Sequence, residues 1–283
     1  MVVGIVCKED NPEALSLSSE VIRRLSERGV KCLYEDHVAS SCNLAPTGRV
    51  WSDSDLLVVI GGDGTILRAI RMSLPREVPI LGVHMGYLGF LTEVTNEEVV
   101  QALDELLEGR YTIERRTMLE VTLDRSGTIL AHHLVINDMV INKGALARII
   151  HIEVLTDEVF VTSIWGDGLI VATPTGSTAY NLASGGPIVH PDVCALVLTP
   201  ICPHVLSNRS IVLPDTQEIV IAVKSGKASD NIYLTLDGQI GHSLVAEDRI
   251  RVRRASTGAS MVRLGGRRNY FEVLRSKLKW QER

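Results

Sequence analysis

Apolar and polar positions follow two different rhythms along this chain. In the first hundred or so residues, short aliphatic runs alternate with helical patterns. Residues 2–7 predict a buried strand. Asn11 and Pro12 supply a helix cap and first helical position, Leu15, Val21, Ile22 and Leu25 recur at helical spacing, and Gly29 ends the helix. Residues 31–34 predict a second strand. Residues 55–60 form an almost unbroken aliphatic run, as expected of a strand covered on both faces. A helix from Thr65, a strand over 78–83 and a helix over 96–107 follow. Strands alternating with helices specify an α/β domain with a parallel sheet, placed at residues 1–109.

Beyond about residue 110 the pattern is that of strands. Segments 114–123, 130–142, 149–155, 159–165, 169–173, 211–223, 232–236 and 249–253 are rich in β-branched residues. They predict a second, mainly β domain over 110–255, leaving a tail at 256–283. From Arg249 to Arg283 there are eleven basic and two acidic residues, although 29 basic and 34 acidic residues give the whole chain a net charge of −5. A basic tail on an acidic body either docks back onto it, faces phosphates, or forms a solvated helix over 270–280.

Composition narrows the function. The length of 283 residues suits one large domain or two ordinary ones, and 45 % apolar residues support a core. Net negative charge and 4 % aromatic residues, with three Phe, argue against a non-specific nucleic-acid binder. The longest aliphatic run, 56–60, is far short of the roughly 20 residues of a membrane span. The start MVVGIVCKED lacks the features of a secretory signal. Five cysteines, at 7, 32, 42, 194 and 202, form no CxxC pair and suit a reducing cytoplasm. In that compartment the glycosylation match Asn208-Arg209-Ser210 is chance.

Three segments carry chemistry. Gly61-Gly62-Asp63-Gly64-Thr65 follows the aliphatic strand and opens a helix. Glycines let a ligand approach the backbone, and a helix N-terminus attracts phosphate oxygens. The Asp63 carboxylate would repel phosphate, so it suits a proton acceptor or a cation ligand; a tight turn with Asp63 capping the helix explains the same residues. Segment 166–183, GDGLIVATPTGSTAYNLA, packs five hydroxyl residues into eight positions, suited to a sugar or diphosphate. A capped turn accounts for Thr175 or Ser177 alone. Asn137-Asp138 interrupts a strand; an Asn amide can pair with an adenine edge, and a bulge or strand crossing is the plainer reading. His132-His133 reads as a strand-edge pair, and Asp237-Gly238-Gln239 as a hairpin turn. Neither GxxxxGK[ST] nor GxGxxG occurs.

Together these segments resemble the NAD kinases. GGDGT at 61–65, GVHMGYLGFLTE at 82–93, ND at 137–138, the block at 166–191, TPICPHVLSNRSIVLP at 199–214, DGQ at 237–239 and NYFEVLRSKLKW at 269–280 occur in the family's order. GGDGT is shared with lipid kinases and 6-phosphofructokinase relatives, whereas GSTAYNLASGGP singles out the NAD kinases. The resemblance implies phosphoryl transfer from ATP or polyphosphate to the 2′-hydroxyl of NAD's adenosine ribose, giving NADP. It also implies a divalent cation, usually Mg²⁺, a homodimer or homotetramer, and a C-terminal segment that returns to the first domain, with NAD held between the domains. No metal ligand is assigned.

Carried over by residue, Asp63 matches the proton acceptor, and Gly61, Gly62, Gly64 and Thr65 form the phosphate-donor loop. Gly64 also lies against NAD, and Arg68 is a basic position one turn on. Asn137 and Asp138 match the pair contacting adenosine, Arg148 a variable ligand contact, and Asp167 an acid near the nicotinamide ribose. Thr178, Ala179, Tyr180, Asn181, Leu182 and Ala183 match the segment wrapping the dinucleotide, and Gln239 a further contact. Asp138 stands where many members carry Glu, and His84 where Asn is common. A lipid kinase sharing GGDGT would need a membrane-facing apolar or basic surface; the tail is basic, but no amphipathic segment is rich in Trp, Phe or Leu on one face. A non-catalytic dinucleotide sensor would have lost the acidic residue, which is present.

Overall fold

The computed structural model describes residues 1–86, 89–144, 149–205, 207–224, 231–265 and 269–280. The chain divides into two units, Met1–Arg115 with Ala259–Arg283, and Arg116–Gly258. The first unit runs β1 (Val2–Cys7), α1 (Pro12–Glu27), β2 (Lys31–Tyr34), α2 (Asp36–Ser41), α3 (Val50–Asp53), β3 (Leu56–Ile60), α4 (Asp63–Ser73), β4 (Ile80–His84), β5 (Val94–Thr95), α5 (Val99–Leu107) and β6 (Tyr111–Arg116). The second contains β7 (Leu119–Arg125), β8 (Thr128–Val135), β9 (Asp138–Lys143), β10 (Ile150–Thr156), β11 (Val159–Gly166) and β12 (Gly168–Ala172). A 3-10 turn at Thr175–Thr178 and α6 (Tyr180–Ala183) come next. Then follow β13 (Ala195–Ile201), β14 (Ile211–Pro214), β15 (Ile219–Val223), β16 (Ile232–Leu236), β17 (Ile240–Leu244) and β18 (Arg249–Arg254). Finally β19 (Ala259–Leu264) and α7 (Tyr270–Leu278) return to the first unit.

The first unit is an α/β layer around a sheet ordered β2-β1-β3-β4-β19-β6, with β5 beside β4. Strands β1, β2, β3 and β4 pair in parallel, and β19 joins β4 in parallel. All five residues of β3 are buried, which is why that segment reads as a continuous aliphatic run. Asn11 caps α1 by accepting the Ala14 N–H at 3.0 Å, with Pro12 at the first helical position. The returning strand is fastened by Glu93, which accepts the Leu264 N–H at 2.9 Å and Arg263 Nη1 at 2.6 Å; Arg263 also donates to Glu114 at 2.5 Å.

The second unit holds two six-stranded sheets, β11-β10-β15-β18-β7-β8 and β14-β13-β12-β9-β16-β17, with antiparallel pairing throughout the described registers. Their inward faces share one apolar core, including Leu119, Val121, Met139, Ile152, Leu169, Ile221 and Val252. On β7 the buried positions Leu119, Val121 and Leu123 alternate with partly exposed ones, the period-two pattern of a half-covered strand.

Several boundaries differ from those expected. Helix α4 starts at Asp63 rather than Thr65. Strand β4 starts at Ile80, and α5 at Val99, because Glu98 first folds back to accept the Thr95 N–H. The predicted strands 114–123, 130–142 and 211–223 are each two strands. The break at 136–137 is a crossing from one sheet to the other, and the break at 215–218 is a turn in which the Gln217 N–H reaches the Pro214 carbonyl. Strands β5, β13, β17 and β19 and the short helices α2, α3 and α6 fall outside the predicted elements. Among the described residues no helix is long and apolar enough to cross a membrane.

Candidate active site

In the first unit, chemistry converges where β3 runs into α4. Gly62 is the extended N-cap residue and makes no side-chain cap, so the expectation that Asp63 caps the helix gives way to a different arrangement. Asp63 is the first helical residue. Its carboxylate accepts the N–H of Phe90 at Oδ2 (3.1 Å) and of Leu91 at Oδ1 (3.2 Å). The chain at Gly89 passes so close that a Cβ there would overlap the Asp63 carboxylate. A Cβ on Gly61 would press on Thr65, whereas Gly62 and Gly64 face open space among the described residues. The outcome is a fixed, half-exposed carboxylate at the carboxyl end of a parallel strand, where ligands of open α/β sheets bind.

Two neighbours complete this corner. Arg68 forms a two-pronged pair with Glu35 at 2.6 and 2.9 Å and donates to the Cys7 carbonyl at 3.0 Å, so its guanidinium is spent inside the unit. Burial, and then the charge of Lys277, hold the His84 imidazole below the usual histidine range, and among the described residues Nδ1 is buried without a partner. The thiol of Cys7 is pushed by burial up to about 11, which leaves it inert.

In the second unit three segments meet: residues 136–138, 173–183 and 236–239. The Thr173 N–H donates to the Asn137 carbonyl at 2.9 Å, and Thr173 Oγ1 to the Ile136 carbonyl at 2.5 Å. Gly176 lies against the Asn137 carbonyl, leaving no room for a Cβ. Asp237 and Gly238 have φ of +49° and +66° and form a two-residue hairpin turn closed by the Gln239 N–H on the Leu236 carbonyl. From that turn the Asp237 carboxylate accepts the amides of Ile136 (3.1 Å), Asn137 (2.7 Å) and Asp138 (3.3 Å). The Asn137 side-chain amide has no protein partner among the described residues. Asp138 is 4 % exposed. Burial first, then the charge of Asp237, push its carboxyl up to about 7, and the Tyr180 N–H pulls the other way.

The hydroxyl-rich segment divides into supports and surface. Ser177 is buried, donating to Pro174 and accepting the Val189 N–H at 3.0 Å. Asn181 is fully buried; its amide donates to the Ser177 and Pro187 carbonyls and accepts from Thr199 at 2.6 Å. The Asn181 side chain, expected to contact the dinucleotide, is committed to bonds within the protein. Thr178, Ala179 and Leu182 are half-buried, while Tyr180, Ala183 and Gln239 are exposed. Asp167 sits 3.5 Å from Lys143 Nζ. Arg148 lies outside the described residues. His132 and His133 are on the edge strand β8, where His132 meets Glu120 and His133 meets His242. Sequence reasoning missed Thr173, Gly176, Gly89 and Asp237 as builders of the site. For the two glycines, their invasion by a neighbouring chain segment is a tertiary property with no local signal.

Residues 3–111 match the family described as the ATP-NAD kinase N-terminal domain, and residues 136–264 the ATP-NAD kinase C-terminal domain. The NAD kinase of Geobacter metallireducens is 46 % identical over 285 residues, and that of Geotalea daltonii 44 % over 284, each covering 99 % of both chains. Among solved structures, yeast NADH kinase complexed with NADH superimposes with a TM-score of 0.90 at 29 % identity, covering 100 % of this chain and 89 % of that one. An NAD kinase from Archaeoglobus fulgidus in complex with ATP gives 0.78 at 25 % identity, covering 99 % of both.

Proposed function

Because the chain belongs to the NAD kinase family, we propose that it transfers the γ-phosphoryl group of ATP to the 2′-hydroxyl of NAD's adenosine ribose, with Asp63 as proton acceptor. The observation that carries this reading is the Asp63 carboxylate, anchored by two backbone amides at the mouth of the parallel sheet. As the ribose oxygen bonds to the γ-phosphorus, the bond from that phosphorus to the β–γ bridging oxygen breaks, ADP leaves, and the hydroxyl proton passes to Asp63. Anchoring by amides costs no reorganisation at the moment of transfer, and general-base help is worth roughly 10²–10⁴ in rate.

The remaining roles follow from the same reading. Within the 61–65 loop the Gly61 and Thr65 amides are bonded to the Val83 and Gly62 carbonyls, so donor phosphates are received by the Gly62 and Asp63 amides where α4 begins. Asn137, with its uncommitted amide, and Asp138 hold adenosine; Asp167 meets the nicotinamide ribose; and the exposed edge of 178–183 with Gln239 lines the dinucleotide. Arg68 contributes by bracing the first turns of α4 through Glu35. Mg²⁺ is held largely by substrate phosphates and water, with one or two carboxylates at most. The donor phosphates at the start of α4 would hold the ion, which would neutralise charge on the transferred group, while Asp63 keeps its role as proton acceptor. Polyphosphate as an alternative donor and a homodimeric or homotetrameric state rest on the family resemblance. All five cysteines are free, which supports a reducing cytoplasm.

Incubation of the purified chain with NAD, ATP and Mg²⁺, followed by an NADP-specific dehydrogenase assay, tests the proposal. NADP formation dependent on all three is expected; its absence in folded protein refutes it.

A further inference from the structure

The hairpin turn at 237–238 does more than reverse the chain. A turn of this type needs a residue that tolerates positive φ followed by glycine, and Asn or Gly would serve as well as Asp in the first place. Here the side chain reaches across to three consecutive amides about a hundred residues earlier. Successive N–H groups form a concavity that binds anions, and its occupant is the protein's own carboxylate. On the opposite side Thr173 takes the carbonyls of Ile136 and Asn137. The Asp237 N–H closes the circle on the Asp138 carbonyl at 2.9 Å. The backbone of 136–138 is thus held through both its donors and its acceptors, while the Asn137 amide is left uncommitted.

We propose that Asp237 is a positioning residue for adenosine recognition: its carboxylate fixes the backbone of Ile136, Asn137 and Asp138 and so presents the Asn137 amide and the Asp138 carboxyl to NAD. This rests on the reading of Asn137 and Asp138 as the adenosine contacts. The arrangement also couples charge to binding. Among the described residues, the groups facing the Asp138 carboxyl are Asp237 from the β16–β17 turn and the Tyr180 N–H from α6; its neighbour across the sheet on β12 is the uncharged Ala172. Asp237 is therefore the charged group that opposes ionisation of Asp138, and removing its charge lets Asp138 ionise at lower pH.

The test uses the full chain and steady-state NADP formation at saturating ATP and Mg²⁺, with Asp237→Ala, Asp237→Asn, Asn137→Ala and the Asp237→Ala/Asn137→Ala double variant. Asp237→Ala is expected to raise KM for NAD roughly 10- to 100-fold, the range of hydrogen bonds to charged groups, with kcat within about threefold of wild type. If Asp237 acts through its neighbour, the double variant has a KM within about threefold of Asn137→Ala alone. Asp237→Asn should shift the inflection of KM against pH to a lower value, which a purely structural turn would not do. A folded Asp237→Ala with KM within about twofold of wild type overturns the proposal, as do penalties that multiply in the double variant. Should Asp237→Ala not fold, Asp237→Asn decides: an unchanged KM and an unmoved inflection overturn the assignment. An unchanged KM in Asn137→Ala instead removes the adenosine reading itself, and this proposal with it.

Discussion

Replacing Asp138 by Asn should make the protein more stable and a poorer NAD binder. The buried carboxyl ionises near 7 in the fold against 3.8 when unfolded, a difference of about three units. At roughly 1.4 kcal/mol per unit the fold loses on the order of 4 kcal/mol by keeping this group. The folded state holds the proton more tightly than the unfolded chain. The loss is therefore absent below pH 3.8, grows as pH rises towards 7, and is complete above it. Asn matches Asp in size, its carbonyl oxygen can still accept the Tyr180 N–H, and it never ionises. Asp138→Asn should gain up to about 4 kcal/mol above pH 7, and the gain should shrink as the medium is acidified. Urea unfolding in a background with Trp51 and Trp280 replaced by Phe, followed by the fluorescence of the remaining Trp165 in the second unit, measures this across the pH range. A variant no more stable than wild type above pH 7, or one whose gain is the same in acid, would falsify the assignment of a protonated carboxyl. Weaker NAD binding in the same variant would show that the strained group is retained for recognition.

Asp63→Asn should lower kcat by roughly 10²–10⁴ while KM for NAD changes little, and equal turnover would remove Asp63 as the proton acceptor. Gly89→Ala should force the Asp63 carboxylate aside and cost on the order of 10² in kcat with the fold intact by circular dichroism; wild-type turnover would show that the carboxylate tolerates displacement. Chelation of divalent cations should abolish NADP formation and added Mg²⁺ restore it; activity that survives the chelator would argue against cation-assisted transfer.

The alternation of strand and helix in the first unit was legible because each element is a contiguous run with its own period, as β3 and the Asn11-Pro12 start of α1 demonstrate. Strand β13 is fully buried yet lies outside the predicted strands, and it carries Pro200, a residue unusual in an interior strand. In the fold β14 pairs only with residues 195–198, so Pro200 lies beyond that neighbour's reach. Strand β19 was hidden by the basic character of its surroundings, and α2 and α3 are too short to show a period. At the site, GGDGT and the Asn137-Asp138 pair stood out because their residue types are unusual at strand ends. Asp237 sits in the hairpin turn that its sequence predicts; its grip on residues 136–138 depends on the partnering of β9 with β16, which no local pattern encodes.

The return of β19 to the first unit sets an order on biosynthesis. Strand β4 and Glu93 leave the ribosome early, but their neighbour strand and Arg263 are translated only after all of residues 116–258. The second unit is consecutive in the chain and needs no later segment to complete its sheets, whereas the first must wait with an edge of its sheet unpaired until β19 emerges. Nascent chains arrested before residue 259 should accordingly be those that chaperones hold and proteases clip within the Asp63 half.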